Sequence, residues 1–479
     1  MSTARIEHPT KDERKARGEA ARRREPASSH LGWRPAPDRP DPIGILEAQD
    51  ATRDPDLVPV RHGRMSVSPF TFFRGSAAIM AADLAETPTG GLDAQLCGDA
   101  HLANFGLFGS PERRLLFDLN DFDETLPGPV EFDLKRLCAS LVVAARNNGL
   151  SEADAADAAR AASRSYRHAM RDFAAMSTLD VWYASLDADE IQASIRSLTK
   201  RLESSDNDGA ERQLAKRAKE RAKATERKAR SRTSLQAVSK LTEVVDGARR
   251  IIHDPPLIVP ARELPQLYGL TREELPQRLR DQFRGYRRTL APDRRRLLEQ
   301  YRFVDVARKV VGVGSVGTRA FIALLQGVDD EDVLFLQVKE AQASVLEQAL
   351  RKSQFRTSGE RVVQGQRLMQ AASDIFLGWT TSKVDGKHYY WRQLRDMKGS
   401  IEIESLRPPG MRFYGEICAW TMARAHARSG DPVALAAYAK GKGFDDAMAD
   451  FATRYADQNE RDFDAFTKAI ATGRLTAEG

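Results

Sequence analysis

The sequence predicts a mixed α+β chain, and three observations carry that prediction. Helical patterning runs from 133 to about 198 and returns over 401–479, while a mainly β piece (308–340, then HYYWRQL at 388–394) lies between these helical pieces. A 479-residue chain with 41% hydrophobic residues can bury a sizeable core, so the bulk reads as globular. No internal repeat stands out. The length fits two or three domains or one large two-lobed enzyme.

Composition excludes several classes. Cys97, Cys138 and Cys418 have no paired or CxxC spacing, which rules out a disulfide framework and a cysteine-zinc site and suits a reducing compartment. Residues 1–26 are polar and charged without an apolar core, so they are not a secretory signal. No stretch approaches the roughly 20 apolar residues that span a bilayer. The expectation is therefore a cytoplasmic protein with no membrane partner. The net charge of +6 is concentrated at 11–24, 212–232 and 278–296. The block RQLAKRAKERAKATERKARSR reads first as a solvated helix with glutamates partly paired to bases. A nucleic-acid partner through it is disfavoured, because no aromatic residues interleave with the charge.

Element by element, residues 1–60 read as a disordered or loosely packed tail. FTFFRGSAAIMAADL at 70–84 looks like a buried helix, and 91–123 alternates short apolar runs with turn residues. KRLCASLVVAARNNG ends at a glycine C-cap signal, and the next helix opens on a serine N-cap. These form a unit at 61–200. A basic helix and connecting segment occupy 201–300, with a hairpin expected around Asp246-Gly247. A β-rich unit fills 301–400, with helices expected at 343–352 and 359–372, and helices complete the chain over 401–479.

Chemistry gathers in two places. The first is Gly98-Asp99-x-His101-x-x-Asn104, followed by Asn120-Asp121-Phe122-Asp123-Glu124. Phosphoryl transfer needs a carboxylate to take the proton of the attacking hydroxyl, and an amide oxygen with another carboxylate to hold magnesium. Asp99 with Asn104, and Asp121 nearby, can supply these, with Asp118, Asp123 and Glu124 as further carboxylates. Asp and Asn are also ordinary turn formers. The apolar flanks LCGD, NFGLF and LLFDLNDF set this cluster apart from a plain surface turn. The second place is Gly312-Val313-Gly314-Ser315-Val316-Gly317 and then Lys339 in LFLQVKEA. TRAFIALLQG after the glycines makes this strand–loop–strand, unlike a dinucleotide fingerprint, which opens a helix. Backbone amides of a glycine hairpin can lie over phosphates. A lysine in a strand otherwise fit for burial needs an anionic partner. His101 could orient Asp99, contact a phosphate or hold the loop. Arg74, Arg392, Arg395 and Lys398 could meet an anionic substrate or form ordinary salt bridges. His426, among apolar helical neighbours, reads as core packing.

GDAHLAN and NDFDE resemble the catalytic loop and magnesium segment of aminoglycoside phosphotransferases and related small-molecule kinases. That resemblance implies ATP and magnesium as cofactors and an unknown hydroxyl acceptor as the other partner. It implies Asp99 as base with His101 beside it, Asn104, Asp121 and Asp123 at the metal, and Asp133 steadying the loop. Gly312, Gly314, Ser315, Gly317 and Lys339 resemble the nucleotide-covering loop and phosphate lysine, with Glu360, or alternatively Glu347, pairing the lysine. The family usually has histidine where this chain has Cys97. The glycine loop and lysine follow the catalytic loop instead of preceding it. The resemblance thus implies a circularly permuted, two-lobed kinase-like fold with a mostly helical C-lobe and a smaller β-rich N-lobe. FFRGS, VGVGSVGTR, LQVKEA and RQLRDMKGS closely resemble the bacterial DUF2252 family over about 60–465. A nucleotide-binding regulator without turnover, adenylyl transfer on the same parts, and a basic RNA- or anionic-surface binder are the alternatives.

Overall fold

The computed structural model describes residues 8–478 except 205–219, 221–222, 228, 230–233, 246–247, 264–265, 268–269, 272–273, 311 and 395–396. The chain begins with α1 (Lys11–Arg24), α2 (Pro42–Asp50), α3 (Val58–Met65), α4 (Pro69–Gly75) and α5 (Ala77–Ala85). Next come β1 (Asp93–Leu96), β2 (Phe105–Gly109), β3 (Leu115–Leu119) and β4 (Leu126–Pro129), with β2–β3 nested inside the β1–β4 ribbon. The helices α6 (Val130–Asn147), α7 (Glu152–Phe173), α8 (Thr178–Tyr183), α9 (Ala188–Ser204) and α10 (Ser234–Leu241) follow. Short strands β5 (Thr242–Val245), β6 (Ala248–Ile251), β7 (Ile258–Pro260), β8 (Gln266–Leu267) and β9 (Leu270–Thr271) precede α11 (Leu275–Arg287) and α12 (Pro292–Leu298). Then come β10 (Arg302–Lys309), β11 (Ala320–Gln326), β12 (Val333–Ala341), α13 (Ser358–Met369), β13 (Gly378–Thr381) and β14 (His388–Gln393). The chain closes with α14 (Pro408–Ser429), α15 (Pro432–Tyr438) and α16 (Lys442–Ala471). Helix accounts for 53% and strand for 16%, so the chain is mixed α+β. No helix among the described residues is long and apolar enough to cross a membrane.

The main sheet has the order β13-β14-β12-β11-β10-β7 and is antiparallel throughout. Side chains alternate across it, as period-2 geometry requires. Leu334, Leu336 and Val338 of β12 pack with Phe283, Tyr286 and Trp391 on one face. Val333 and Phe335 pack with Val238, Leu241 and Ile322 on the other. Lys339 falls on that second face, two residues beyond Gln337, where β12 runs past its apolar core.

The largest core is centred on α6, which is buried on almost every side, with α7, α14 and α16 packed around it. Its charged residues Glu131, Asp133, Lys135 and Arg136 are buried with it. Asn148 ends the helix and Gly149 follows at φ +71°. Ser151 caps α7 by accepting the Asp154 amide at 3.1 Å. Replacing it with alanine is expected to cost about 1 kcal/mol in urea unfolding; an unchanged midpoint would mean the exposed cap contributes nothing.

Of the segment expected as a loose tail, the described residues 8–60 are packed instead. Thr10 and Glu13 form a capping box, and α1 lies against α15 with Arg14 2.8 Å from Asp431. Trp33 sits 5.1 Å from the Tyr455 ring, and Arg39 bridges Asp83 and Asp462 at 2.6 Å each. Asp431, Tyr455 and Asp462 lie hundreds of residues away, so local periodicity could not show them. His30 is buried with Nε2 3.0 Å from the Tyr438 hydroxyl. Burial, with Lys135 adding to it, pushes its pKa down to about 3. The folded state thus holds His30 neutral, and that stability is present above about pH 6.5 and lost as pH falls towards 3, with a slope of at most ~1.4 kcal/mol per pH unit. Thermal melts of His30→Gln across pH 3–7 should show a shallower acid slope than the wild type; parallel profiles would remove His30 from the acid response.

Two further expectations change. The 70–84 helix breaks at Ser76 (φ −111°, ψ 32°), where Arg61 captures the Gly75 carbonyl at 2.9 Å. Residues 343–352 hold only a 3-10 turn, Val345–Gln348, because the Val345 amide donates to Glu124 Oε2 at 2.7 Å. The hairpin expected around Asp246-Gly247 has its strands paired as β5–β6, while its turn residues lie outside the described residues. Most of the basic block at 212–232, and Arg395, also lie outside them.

Candidate active site

Two ribbons bring the first constellation together. In β2–β3, Phe105 pairs with Leu119, and the ladder continues as the Asn120 amide donates to the Asn104 carbonyl at 2.8 Å. Asn104 and Asp121 therefore leave adjacent strand ends. In β1–β4, Leu96 pairs with Leu126, so the 97–104 loop and the 120–125 segment leave the same end. Gly98 has φ +83°, and a Cβ there would lie 2.3 Å from the Glu124 carbonyl oxygen; only glycine fits this approach.

The loop is held from beneath by α6. Asp133 accepts the Cys97 amide at 2.8 Å and the Gly98 amide at 3.0 Å, and His426 Nε2 lies 3.2 Å from it. His426 is buried as expected, yet it is a polar link, with Tyr166 2.9 Å from its other ring nitrogen. One helical turn beyond Asp133, Arg136 reaches Asp99 Oδ1 at 2.7 Å. Asn104 Nδ2 donates to the Asp99 carbonyl at 2.6 Å, leaving Oδ1 as its remaining polar side-chain atom. His101 Nδ1 accepts the Ala103 amide at 3.2 Å, while Nε2 stands 3.6 Å from Asp99, beyond a hydrogen bond. Burial lowers the His101 pKa to about 3, with Arg74 and Arg136 reinforcing the shift against Asp99. The ring is neutral at neutral pH.

The second constellation meets the first through Lys339. Its Nζ is 2.8 Å from Asp123 and 3.5 Å from Asp121, and its side chain is only 4% exposed. Burial alone would lower the lysine pKa; Asp121 and Asp123 outweigh it and hold the ammonium charged. Asp123 spends both oxygens, one on Lys339 and one on the Tyr390 hydroxyl at 2.6 Å. Against its burial, the Lys339 charge keeps it below the usual carboxylate range. Asp121 is raised by burial and then by Asp123, and its Oδ1 is buried without a hydrogen-bond partner. Of the carboxylates expected at a metal, Asp121 thus has an orphaned oxygen and Asp123 serves as the lysine's counter-ion. Glu124 is raised by burial to about 7.

The glycine loop joins β10 to β11 as strand–loop–strand, and Ser315 Oγ stands 3.5 Å from Asp123. Gly317 has φ +87°, and its carbonyl accepts the Asp54 amide at 2.7 Å. Arg64 holds the Gly312 carbonyl at 2.6 Å and Arg53 that of Val316 at 2.5 Å. These N-terminal anchors carried no sequence signal.

Glu360 does not pair with Lys339, whose ion-pair partners are Asp121 and Asp123; nor does Glu347. The reason is the phase of α13. Its buried face carries Arg361, which binds the Asp123 carbonyl at 2.8 Å and the Thr125 carbonyl at 2.6 Å, and Glu360 is one residue off that face. Arg392 is committed to Gln337 at 3.1 Å and the Asn120 carbonyl at 2.9 Å. Burial, followed by Arg392, lowers the Lys398 pKa to about 7. Asp118 is structural, pairing with buried Arg424 and accepting the Ala371 amide at 2.8 Å. Tyr390, Arg136 and Arg361 were missed. Arg136 alone had a signal, as a charge spaced i+3 from Asp133 on an apolar helix. Tyr390 depends on strand register.

Among the described residues, no three His, Cys, Asp or Glu side chains form a metal cluster. Residues 53–469 match a family described as uncharacterized protein conserved in bacteria (DUF2252). No curated protein and no solved structure matches the chain.

Proposed function

The chain belongs to the DUF2252 family, and we propose that it is an ATP- and magnesium-dependent phosphotransferase built as a circularly permuted, two-lobed kinase-like enzyme. The observation that carries this reading is the Lys339–Asp123 contact. It draws the glycine-loop sheet onto the acidic segment that leaves the same ribbons as Asp99. In the proposed reaction the acceptor oxygen bonds to the γ-phosphorus, and the bond from that phosphorus to the β–γ bridging oxygen breaks. The hydroxyl proton passes to Asp99, and ADP leaves. Asp133, Arg136 and Asn104 position Asp99 for that role. Lys339 and the amides of the 312–317 loop would bind phosphate oxygens.

The donor set suits magnesium, which takes few protein oxygens and keeps several waters. Asn104 Oδ1 and the orphaned Asp121 Oδ1 would hold it. Bound there, the ion would neutralise charge on the transferring phosphoryl group. Three buried free cysteines fit the reducing cytoplasm proposed as its location.

The deciding experiment incubates the protein with magnesium, a cell extract and ATP labelled at either the α or the γ position. Label from the γ position alone on an acceptor supports phosphoryl transfer. Label from the α position means adenylyl transfer, and ATP binding without transfer means a regulator.

A further inference from the structure

Resting on that phosphotransferase reading, we infer that the acceptor is a hydroxyl compound carrying its own anionic group, a carboxylate or phosphate, which Arg74 grips beside Asp99. A guanidinium removed from water needs acceptors for its donors. The other buried arginines around the site each have at least two acceptors, although the Arg361 Nε is itself left without one: Arg136 binds Asp99 and the Phe73 carbonyl, Arg361 three backbone carbonyls, and Arg392 Gln337 and Asn120. Arg74 differs. It is half-buried at the end of α4, its Nε is sealed from water, and that donor has no acceptor. No hydrogen bond or ion pair joins its guanidinium to another described residue.

Position makes this vacancy specific. The charges that act on Arg74 are Glu404, which is exposed, and Asp99. Asp99 already has its own cation, Arg136, at 2.7 Å. The Arg74 carbonyl lies 3.0 Å from where a Cβ on Gly314 would be, and the neighbouring Phe73 carbonyl accepts at 2.8 Å from Arg136, the cation of Asp99, so this residue stands where the glycine loop meets the catalytic loop. Phosphates of the nucleotide have Lys339 and the loop amides. The unmet cation on the Asp99 side falls to the acceptor, whose anionic group would orient its hydroxyl towards the base. Of the arginines first considered for an anionic substrate, Arg395 lies outside the described residues, Arg392 is spent inside the fold and Arg74 is available.

The test separates a cell extract on an anion exchanger at neutral pH and offers each fraction to the full-length protein with magnesium and γ-labelled ATP. Acceptor activity is expected in the retained fraction. Arg74→Ala should lower transfer there by about tenfold or more, Arg74→Lys should restore part of it, and affinities for a non-hydrolysable ATP analogue and for ADP should stay unchanged. Acceptor activity in the flow-through, or undiminished transfer by Arg74→Ala, would overturn the proposal. Weakened binding of the ATP analogue but not of ADP would assign Arg74 to the γ-phosphate and overturn it too. A wild-type protein that binds ATP yet labels neither fraction would take down the phosphotransferase reading, and this inference with it.

Discussion

Asp99→Asn is expected to lower turnover by about 10²–10⁴-fold, the range typical of a positioned proton acceptor, while leaving nucleotide affinity unchanged. The substitution is a clean one for structural reasons. The loop's backbone is held by Asp133 through the Cys97 and Gly98 amides, and by Asn104 through the Asp99 carbonyl, so none of those bonds needs the Asp99 carboxylate. The asparagine oxygen can still accept from Arg136, which also keeps the Phe73 carbonyl at 2.8 Å and the Phe73 ring beneath it. What disappears is the charge and basicity of a single group. Steady-state turnover and ATP-analogue binding, measured on a protein whose urea midpoint is checked, give the answer. A variant keeping most of its activity would show that Asp99 is not the proton acceptor.

The candidate site was legible where its residues are local. Asp99, Asn104 and Asp121 lie within one short stretch, and the nested ribbons that juxtapose them are sequence neighbours too. Lys339 was legible for another reason, as a lysine in a strand otherwise fit for burial. Its partner was not. Whether Glu360 or Arg361 faces the site depends on a rotation of about 100° in α13, which a capped helix with two small apolar clusters does not fix in advance. Tyr390 reaches Asp123 only because β12 and β14 pair with Lys339 opposite Tyr390, and strand register is a tertiary outcome. The mixed α+β class was readable from periodicity. The packing of residues 10–60 was not, because its anchors Asp431, Tyr455 and Asp462 lie in the last helices.

Lys339→Met tests the junction on which the functional reading turns, and it should do two separable things. The wild-type ammonium compensates two carboxylates that burial opposes, so removing it leaves Asp121 and Asp123 without their ion-pair partner and with only the Arg392 charge nearby. Breaking a buried pair in this way typically costs 3–5 kcal/mol. The carboxylates here are 30% and 26% exposed, which puts the expected loss at the low end, about 3 kcal/mol in urea unfolding. The penalty should shrink at acid pH, because the stranded carboxylates can then take up protons while the wild type loses its paired Asp123. Adding Asp123→Asn should recover most of the stability at neutral pH by removing one of the uncompensated charges. It should not recover nucleotide affinity, since the cation proposed to bind phosphate is still missing. That divergence is the point of the pair: a purely structural ion pair would let the double variant regain both. If Lys339→Met alone keeps wild-type affinity for ATP, the lysine is a brace between sheet and acidic loop, and the nucleotide must be held by other groups.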